Sequence, residues 1–212
     1  MKVLSLNIGT PKEIEWLGKK ITTSIFKKSV SGNHKVTFLT IEGDEQSDKK
    51  VHGGFDKAVY SYSIEYYDYW KKIIERKDWN PGLFGENLTT KGLTDEKTRI
   101  GNIYKIGTAM IMPVQPRFPC QTLCARFGMK EMIDKFYNSK RNGTYYRVIE
   151  EGYIEQGDEI EMIEESKYNV TIKDVVECKV TKGEDQIKLE QILEVPFLPS
   201  GLKQTFQMYL KQ

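Results

Sequence analysis

Apolar and polar positions alternate over the first nine residues, with Val3, Leu4, Leu6 and Ile8 ahead of Gly9 and Pro11, and this period-two pattern predicts an opening strand. A second β-rich run, with Val36, Phe38, Leu39 and Ile41, predicts a strand over 35–41. Residues 98–106 and 108–114 read as two strands about Gly107, 143–149 as another, and 159–163, after the Gly157-Asp158 turn, as the last. Helical spacing appears in between. Ser63 reads as the N-cap of a helix through Glu75, whose Tyr66, Tyr67, Trp70, Ile73 and Ile74 form a stripe suited to a buried face, and 129–137 reads as a shorter helix. From Asn169 the pattern shifts to short amphipathic helices, with Thr171 as a cap, 188–193, and Ser200 capping 202–210. Many short strands followed by a helical tail predict a mostly β fold with some α, a β-barrel with a small α extension.

Composition narrows the setting. A chain of 212 residues fits one domain, or one domain with a small appendage, and buries about 70% of its unfolded surface without disulfides. Its three cysteines, Cys120, Cys124 and Cys178, are an odd number, which argues against a disulfide framework and for a reducing compartment. The first residues turn polar too soon for a signal peptide and no apolar run approaches membrane-spanning length, so a cytoplasmic protein without a membrane partner is expected. Lys and Arg total 32 against 30 acidic residues, and no long basic tract suits a nucleic-acid polymer. Any anionic ligand must therefore be met by local positive charge, and the near-neutral surface is compatible with a homodimer.

Candidate chemistry gathers at four places. In Met112-Pro113-Val114-Gln115-Pro116-Arg117-Phe118-Pro119-Cys120 three prolines stiffen the chain ahead of a thiol. Cys120 is then a metal ligand or nucleophile, its thiolate favoured by Arg117, or a small buried hydrophobe at the end of a strand. In Ile21–Lys28 hydroxyls and two lysines suit a phosphate, and equally an edge strand guarded by lysines. The polar stretch from Gly43 through His52, Gly53 and Gly54 to Tyr60 reads as a ligand-facing loop, against Asx turns at Asp44 and Asp56 and solvated lysines. Phe84-Gly85-Glu86-Asn87-Leu88-Thr89-Thr90 offers a carboxylate, an amide and two hydroxyls in a short space.

Taken in order, Gly43-Asp44-Glu45-Gln46, His52-Gly53-Gly54 with Asp56 and Ala58-Val59, Phe84-Gly85-Glu86-Asn87-Leu88, Gln115-Pro116-Arg117 with Pro119-Cys120, Tyr146-Arg147-Val148 and Gly157-Asp158 resemble the MOSC family, the molybdenum cofactor sulfurase C-terminal domain. Within it the chain is most similar to the stand-alone bacterial YiiM-type members with a three-helix tail. The resemblance implies a barrel over 1–166 with peripheral helices and a helical subdomain over 167–212. It implies a molybdopterin-type molybdenum cofactor with Cys120 on the metal, Thr23, Lys27 and Arg117 near its phosphate or pterin, and His52, Asn87 and Arg147 on the pocket wall. Backbone amides near Gly53 and Gly54 read the pterin edge on this view, and His52 is a candidate proton donor as well as a structural histidine.

The activity implied is reduction of small N-hydroxylated compounds such as hydroxylaminopurines. Electrons must come from an external flavoprotein or ferredoxin-like donor, because the chain has no G-x-G-x-x-G element and too few cysteines for an iron–sulfur cluster held by four thiolates. Three other readings remain: a persulfide carrier using Cys120, a cofactor carrier or sensor without turnover, and zinc held by Cys120, Cys124 and His52, which lacks a fourth ligand. The sequence departs from the family at Thr23, where serine is frequent, and at Thr144, where tryptophan is.

Overall fold

The computed structural model describes residues 1–47 and 53–210. Strands β1 (Lys2–Ile8), β2 (Lys12–Trp16), β3 (Lys19–Thr23), β4 (Lys28–Val30) and β5 (His34–Val36) come first. β6 (Val59–Ser63), α1 (Ile64–Lys71), β7 (Leu88–Lys91), β8 (Ile103–Ile106), β9 (Ala109–Pro116), α2 (Gln121–Phe127), α3 (Met132–Ser139) and β10 (Thr144–Glu150) follow. β11 (Gly152–Ile154), β12 (Ile160–Glu164) and the helices α4 (Ile172–Val180), α5 (Gln186–Glu194) and α6 (Ser200–Tyr209) complete the chain.

Eight strands form one sheet in the order β12-β8-β9-β10-β6-β7-β1-β4, while β2–β3 and β5–β11 are separate pairs. Neighbours are antiparallel except β6 and β7, and the parallel pair needs a crossover, which begins with α1. The fold class is the expected mostly β architecture with helices, but the sheet does not close into a barrel. β4 occupies the flank of β1 at Leu6–Ile8. Only the first residues of β1 therefore meet the approach to β12, through a bridge between Lys2 and Glu159 and bonds such as Ile160 N–H to Met1 O at 2.8 Å.

Three apolar clusters divide the interior. One lies inside the curled sheet around Val3, Leu6, Ile111, Tyr146 and Val148, and a second, rich in aromatic rings, packs α1, α2 and α3 against the outside of β6. The third joins α4, α5 and α6 to Ile100. Backbone bonds stitch this tail to the body, Ile172 N–H to Thr98 O and Ile100 N–H to Val170 O, both at 2.9 Å. Thr171 caps α4 in a capping box with Asp174. Among the described residues no helix is long and apolar enough to cross a membrane.

Four local expectations need correction. The run 35–41 is a strand only to Val36, because Thr37 takes up the Thr40 backbone in a tight turn and leaves Phe38 and Leu39 exposed at its tip. α1 ends at Lys71, and Ile73 of the expected stripe is exposed. Ser200 begins α6 and Pro199 stands at its cap, without a side-chain bond. The strand expected over 108–114 does not stop at its first proline: a register shift opposite Tyr145 and Tyr146 skips Val114, seats Pro113 inside β9 and lets the strand run to Pro116, its last residue.

Candidate functional site

The end of β3, the start of β7, the exit of β9 and the start of β10 converge on a cavity of about 380 Å³. Four of the residues singled out by sequence, Thr23, Lys27, Asn87 and Arg117, line it, together with Asp44, Tyr60, Tyr145 and Thr122. Cys120 caps α2 and is half-buried, its Sγ 2.9 Å from the Thr122 hydroxyl. The thiol is not in a disulfide.

Asp44 anchors one end of the cavity. Its Oδ1 accepts the Gly9 N–H at 2.8 Å and pairs with the Lys27 ammonium, while Oδ2 accepts the Asn87 amide at 2.9 Å. Burial lowers the Lys27 pKa, against the opposing pull of Asp44. The Asn87 side chain is fully engaged, since it also donates to Asn7 O and accepts the Tyr60 N–H. Asn87 thus positions Asp44, and Lys27 is committed to neutralising it.

Arg117 dominates the other end. It is 5% exposed, and its guanidinium lies over the rings of Tyr60 and Phe136 at 5.7 and 5.4 Å from their centroids. Among the described residues no carboxylate pairs with it, and Nη1 has no hydrogen-bond partner. Desolvation opposes its charge, but the acidic side chains around it, Tyr60, Cys120 and Tyr145, outweigh that cost and hold its pKa above the ordinary guanidinium value. Tyr145 completes this end: burial raises its pKa, against the pull of the Arg117 guanidinium with which its hydroxyl hydrogen-bonds. A buried cation with an unpartnered N–H on a cavity wall is built to receive an anion or another strong acceptor.

The remaining candidates lie elsewhere. Gly53 and Gly54 line a second cavity of about 440 Å³, with Gln115, Phe118 and α6. Arg147 forms an ion pair with Asp56 on the turn that walls that cavity. Lys57 borders both cavities. His52 lies outside the described residues. Cys124, the second thiol of the zinc reading, is buried and donates to Lys130 O, and no three His, Cys, Asp or Glu side chains converge on a metal position among the described residues.

Sequence reasoning placed Asp44 and Tyr60 within the stretch read as a ligand-facing loop without singling either out for a role, and it passed over Tyr145, which precedes the motif Tyr146-Arg147-Val148 by one position.

The model of the MOSC domain matches residues 48–161. The chain is 35% identical over 204 residues to the uncharacterized protein YflK of Bacillus subtilis (strain 168), across 96% of this chain and 92% of that protein. It is 34% identical over 151 residues to a protein of Gibberella moniliformis (strain M3125 / FGSC 7600) named Reductase, across 70% of this chain and 27% of the fungal one. In fold it is similar to the crystal structure of YiiM from Geobacillus stearothermophilus, with a TM-score of 0.83 and 29% identity, covering 99% of this chain and 98% of that one.

Proposed function

The chain belongs to the MOSC domain family, and from this premise we propose that it is a molybdenum-cofactor-dependent oxidoreductase that reduces N-hydroxylated compounds. The observation that carries the reading is Arg117, a buried guanidinium with an unpartnered Nη1 on the wall of a cavity lined by Thr122, whose hydroxyl contacts the Cys120 thiol behind it. The donor set fits a cofactor that brings most of its own metal ligands: one soft thiolate, hydroxyls and a cation, with no three-residue metal cage among the described residues.

When bound, molybdopterin supplies a metal that changes oxidation state by two electrons and a sulfur-rich shell. The overall conversion is R–NH–OH plus two electrons and two protons to R–NH2 and water. Cys120 would complete the metal's ligands as a thiolate. Arg117 and Thr23 would hold the anionic part of the cofactor, while Lys27, engaged with Asp44, adds little net charge. Asp44 and its Asn87 brace present a fixed carboxylate edge that suits pterin N–H groups. Arg147, through Asp56, steadies the turn that follows Gly53 and Gly54. His52 is assigned one of the two protons, and the electrons an external flavoprotein or ferredoxin-like donor.

The test is molybdenum and pterin content per chain after expression in a host that makes the cofactor, with Cys120→Ser alongside, followed by an assay with a chemically reduced dye as donor. Cofactor near one per chain, metal lost from Cys120→Ser and turnover of a hydroxylamine are expected. Cofactor without turnover with any donor makes the protein a carrier. No cofactor, with reductant-sensitive extra sulfur on Cys120 by intact mass, makes it a persulfide protein.

A further inference from the structure

Charge is unevenly spread along the chain. No acidic residue occurs from Lys97 to Lys130, the span that holds Arg117, Cys120 and α2, whereas no basic residue occurs from Glu150 to Ser166, the span of β11 and β12. In the fold these spans lie apart. β12 is the edge of the sheet, four strand positions from β6, against which α2 packs. The thiol therefore sits towards a basic face, and the carboxylates gather at a distant edge.

Two cations of the basic face lack a counter-ion. Lys12 on β2 and Arg126 on α2 lie over the ring of Phe26, at 3.5 and 4.7 Å from its centroid, and neither forms a salt bridge among the described residues. Asp78 acts on Arg126, but both its oxygens are held by Arg76, at 2.6 and 2.7 Å. Burial and the neighbouring Arg76 lower the Arg126 pKa, and its Nε–H has no hydrogen-bond partner. A carboxylate from outside the chain would relieve both deficits. The two cations also flank the first cavity. Thr122, one turn before Arg126 on the same side of α2, lines that cavity, and Thr23, the register partner of Lys12, lines it from the ribbon. Arg126 stands about 9 Å along the helix axis from Cys120.

We propose that Lys12, Arg126 and the exposed Lys130 beyond α2 form the docking surface of an acidic one-electron carrier protein of ferredoxin type, while the carboxylates of the β12 edge repel the same partner from the far side. Two reduced carriers then give one electron each for every R–NH–OH converted, with two protons, to R–NH2 and water. Each carrier must dock close to the thiol and leave again, which suits a small interface steered by charge. This docking surface rests on the reductase reading and deepens it, by giving the donor a charge and a landing face.

A plant-type two-iron ferredoxin, a strongly acidic protein, is the probe, and a short DNA duplex the control polyanion, in calorimetric titrations of the full-length protein at low salt. Lys12→Glu combined with Lys130→Glu alters exposed side chains only, and Arg126→Gln tests the half-buried cation separately. Each variant should weaken ferredoxin binding at least about tenfold and flatten its salt dependence, with molybdenum and pterin content and turnover on the chemically reduced dye unchanged. Glu161→Gln, on β12, should not weaken it. Absence of ferredoxin binding, binding indifferent to these variants, or a duplex bound as tightly as ferredoxin overturns the assignment. The titration needs no turnover, so ferredoxin binding lost in both variants of a protein that reduces nothing, even with the dye, would sink the reductase reading alone. Dye-driven turnover beside a ferredoxin KM indifferent to both variants would sink this inference alone.

Discussion

Asn142 fixes Arg117 by the backbone: its side-chain amide donates to the Arg117 carbonyl at 2.9 Å, and the carbonyl of the next residue accepts the Arg117 N–H at 3.1 Å. The turn that does this is itself held from three sides. Asp95 accepts the N–H groups of Asn142 and Gly143 at 2.8 and 3.1 Å, and the hydroxyls of Tyr60 and Tyr62 donate to the carbonyls of Asn142 and Arg141, each at 2.9 Å. The position of the buried guanidinium is thus set by a turn more than twenty residues away in the chain.

Gly143 has no room for a side chain in that turn. Its φ is +70°, and an added Cβ would lie 2.4 Å from Ser61 O and 2.7 Å from the Tyr62 ring. Gly143→Ala should lower the unfolding free energy by about 2 kcal/mol or more, measured by urea titration, and should weaken cofactor retention through displacement of Arg117.

Asp95 should make stability depend on pH. Burial raises its pKa to about 7 from 3.8, against the pull of its two backbone donors. Between about pH 4 and 7 the folded chain holds a proton on Asp95 that the unfolded chain has lost. Its contribution is therefore fully present below about pH 4, declines by up to about 1.4 kcal/mol per unit as pH rises, and is gone above about 7. In urea titrations, the stability of wild type relative to Asp95→Asn should fall over that interval and level off beyond it. A difference independent of pH would place the Asp95 proton elsewhere.

Much of the scaffold was legible because its signals are local. The alternation in β1, the glycine between β8 and β9, and the Thr171–Asp174 capping box each lie within a few residues. What escaped depends on distant partners. Phe38 and Leu39 look like strand residues, but the Thr37 hydroxyl makes a turn of them. Nothing along the sequence says that β4 takes the flank of β1 and keeps the sheet open. In the site, Asn87 and Arg117 were found as members of ordered motifs, and Thr23 and Lys27 in a stretch of hydroxyls and lysines that the resemblance set near the cofactor, whereas the engagement of Lys27 with Asp44 and of Asn87 with Asp44, Asn7 and Tyr60 spans 17 to 80 positions. Gly53, Gly54 and Arg147 were grouped with the first cavity because chain order does not reveal which wall a loop faces.

The Lys27–Asp44 pair should be strongly coupled. Their side chains are 9% and 3% exposed, so removing either leaves the other charge buried alone. Asp44→Asn and Lys27→Met should each destabilise by about 3 kcal/mol, and the double variant by much less than their sum, giving a coupling of about 2 kcal/mol or more in a double-mutant cycle. Additive effects would show that the pair is not maintained in solution.

Arg117 separates binding from folding. In the cofactor-free chain its charge meets no carboxylate among the described residues, and desolvation works against it. Contacts with the Tyr60 and Phe136 rings return part of that cost, about 0.5–2 kcal/mol. Methionine keeps most of the volume, and the backbone bonds to Asn142 and Gly143 do not involve the side chain. Arg117→Met should therefore change the unfolding free energy of the cofactor-free protein by no more than about 1 kcal/mol. On the proposed reading the same substitution deprives the cofactor's anionic group of its buried cation, a loss of about 2 kcal/mol or more, or at least about thirtyfold in affinity. Pterin content after purification should then fall steeply while the melting temperature of the cofactor-free chain barely moves. A variant that keeps its pterin would remove Arg117 as the anion site, and one that fails to fold would make the guanidinium a structural group.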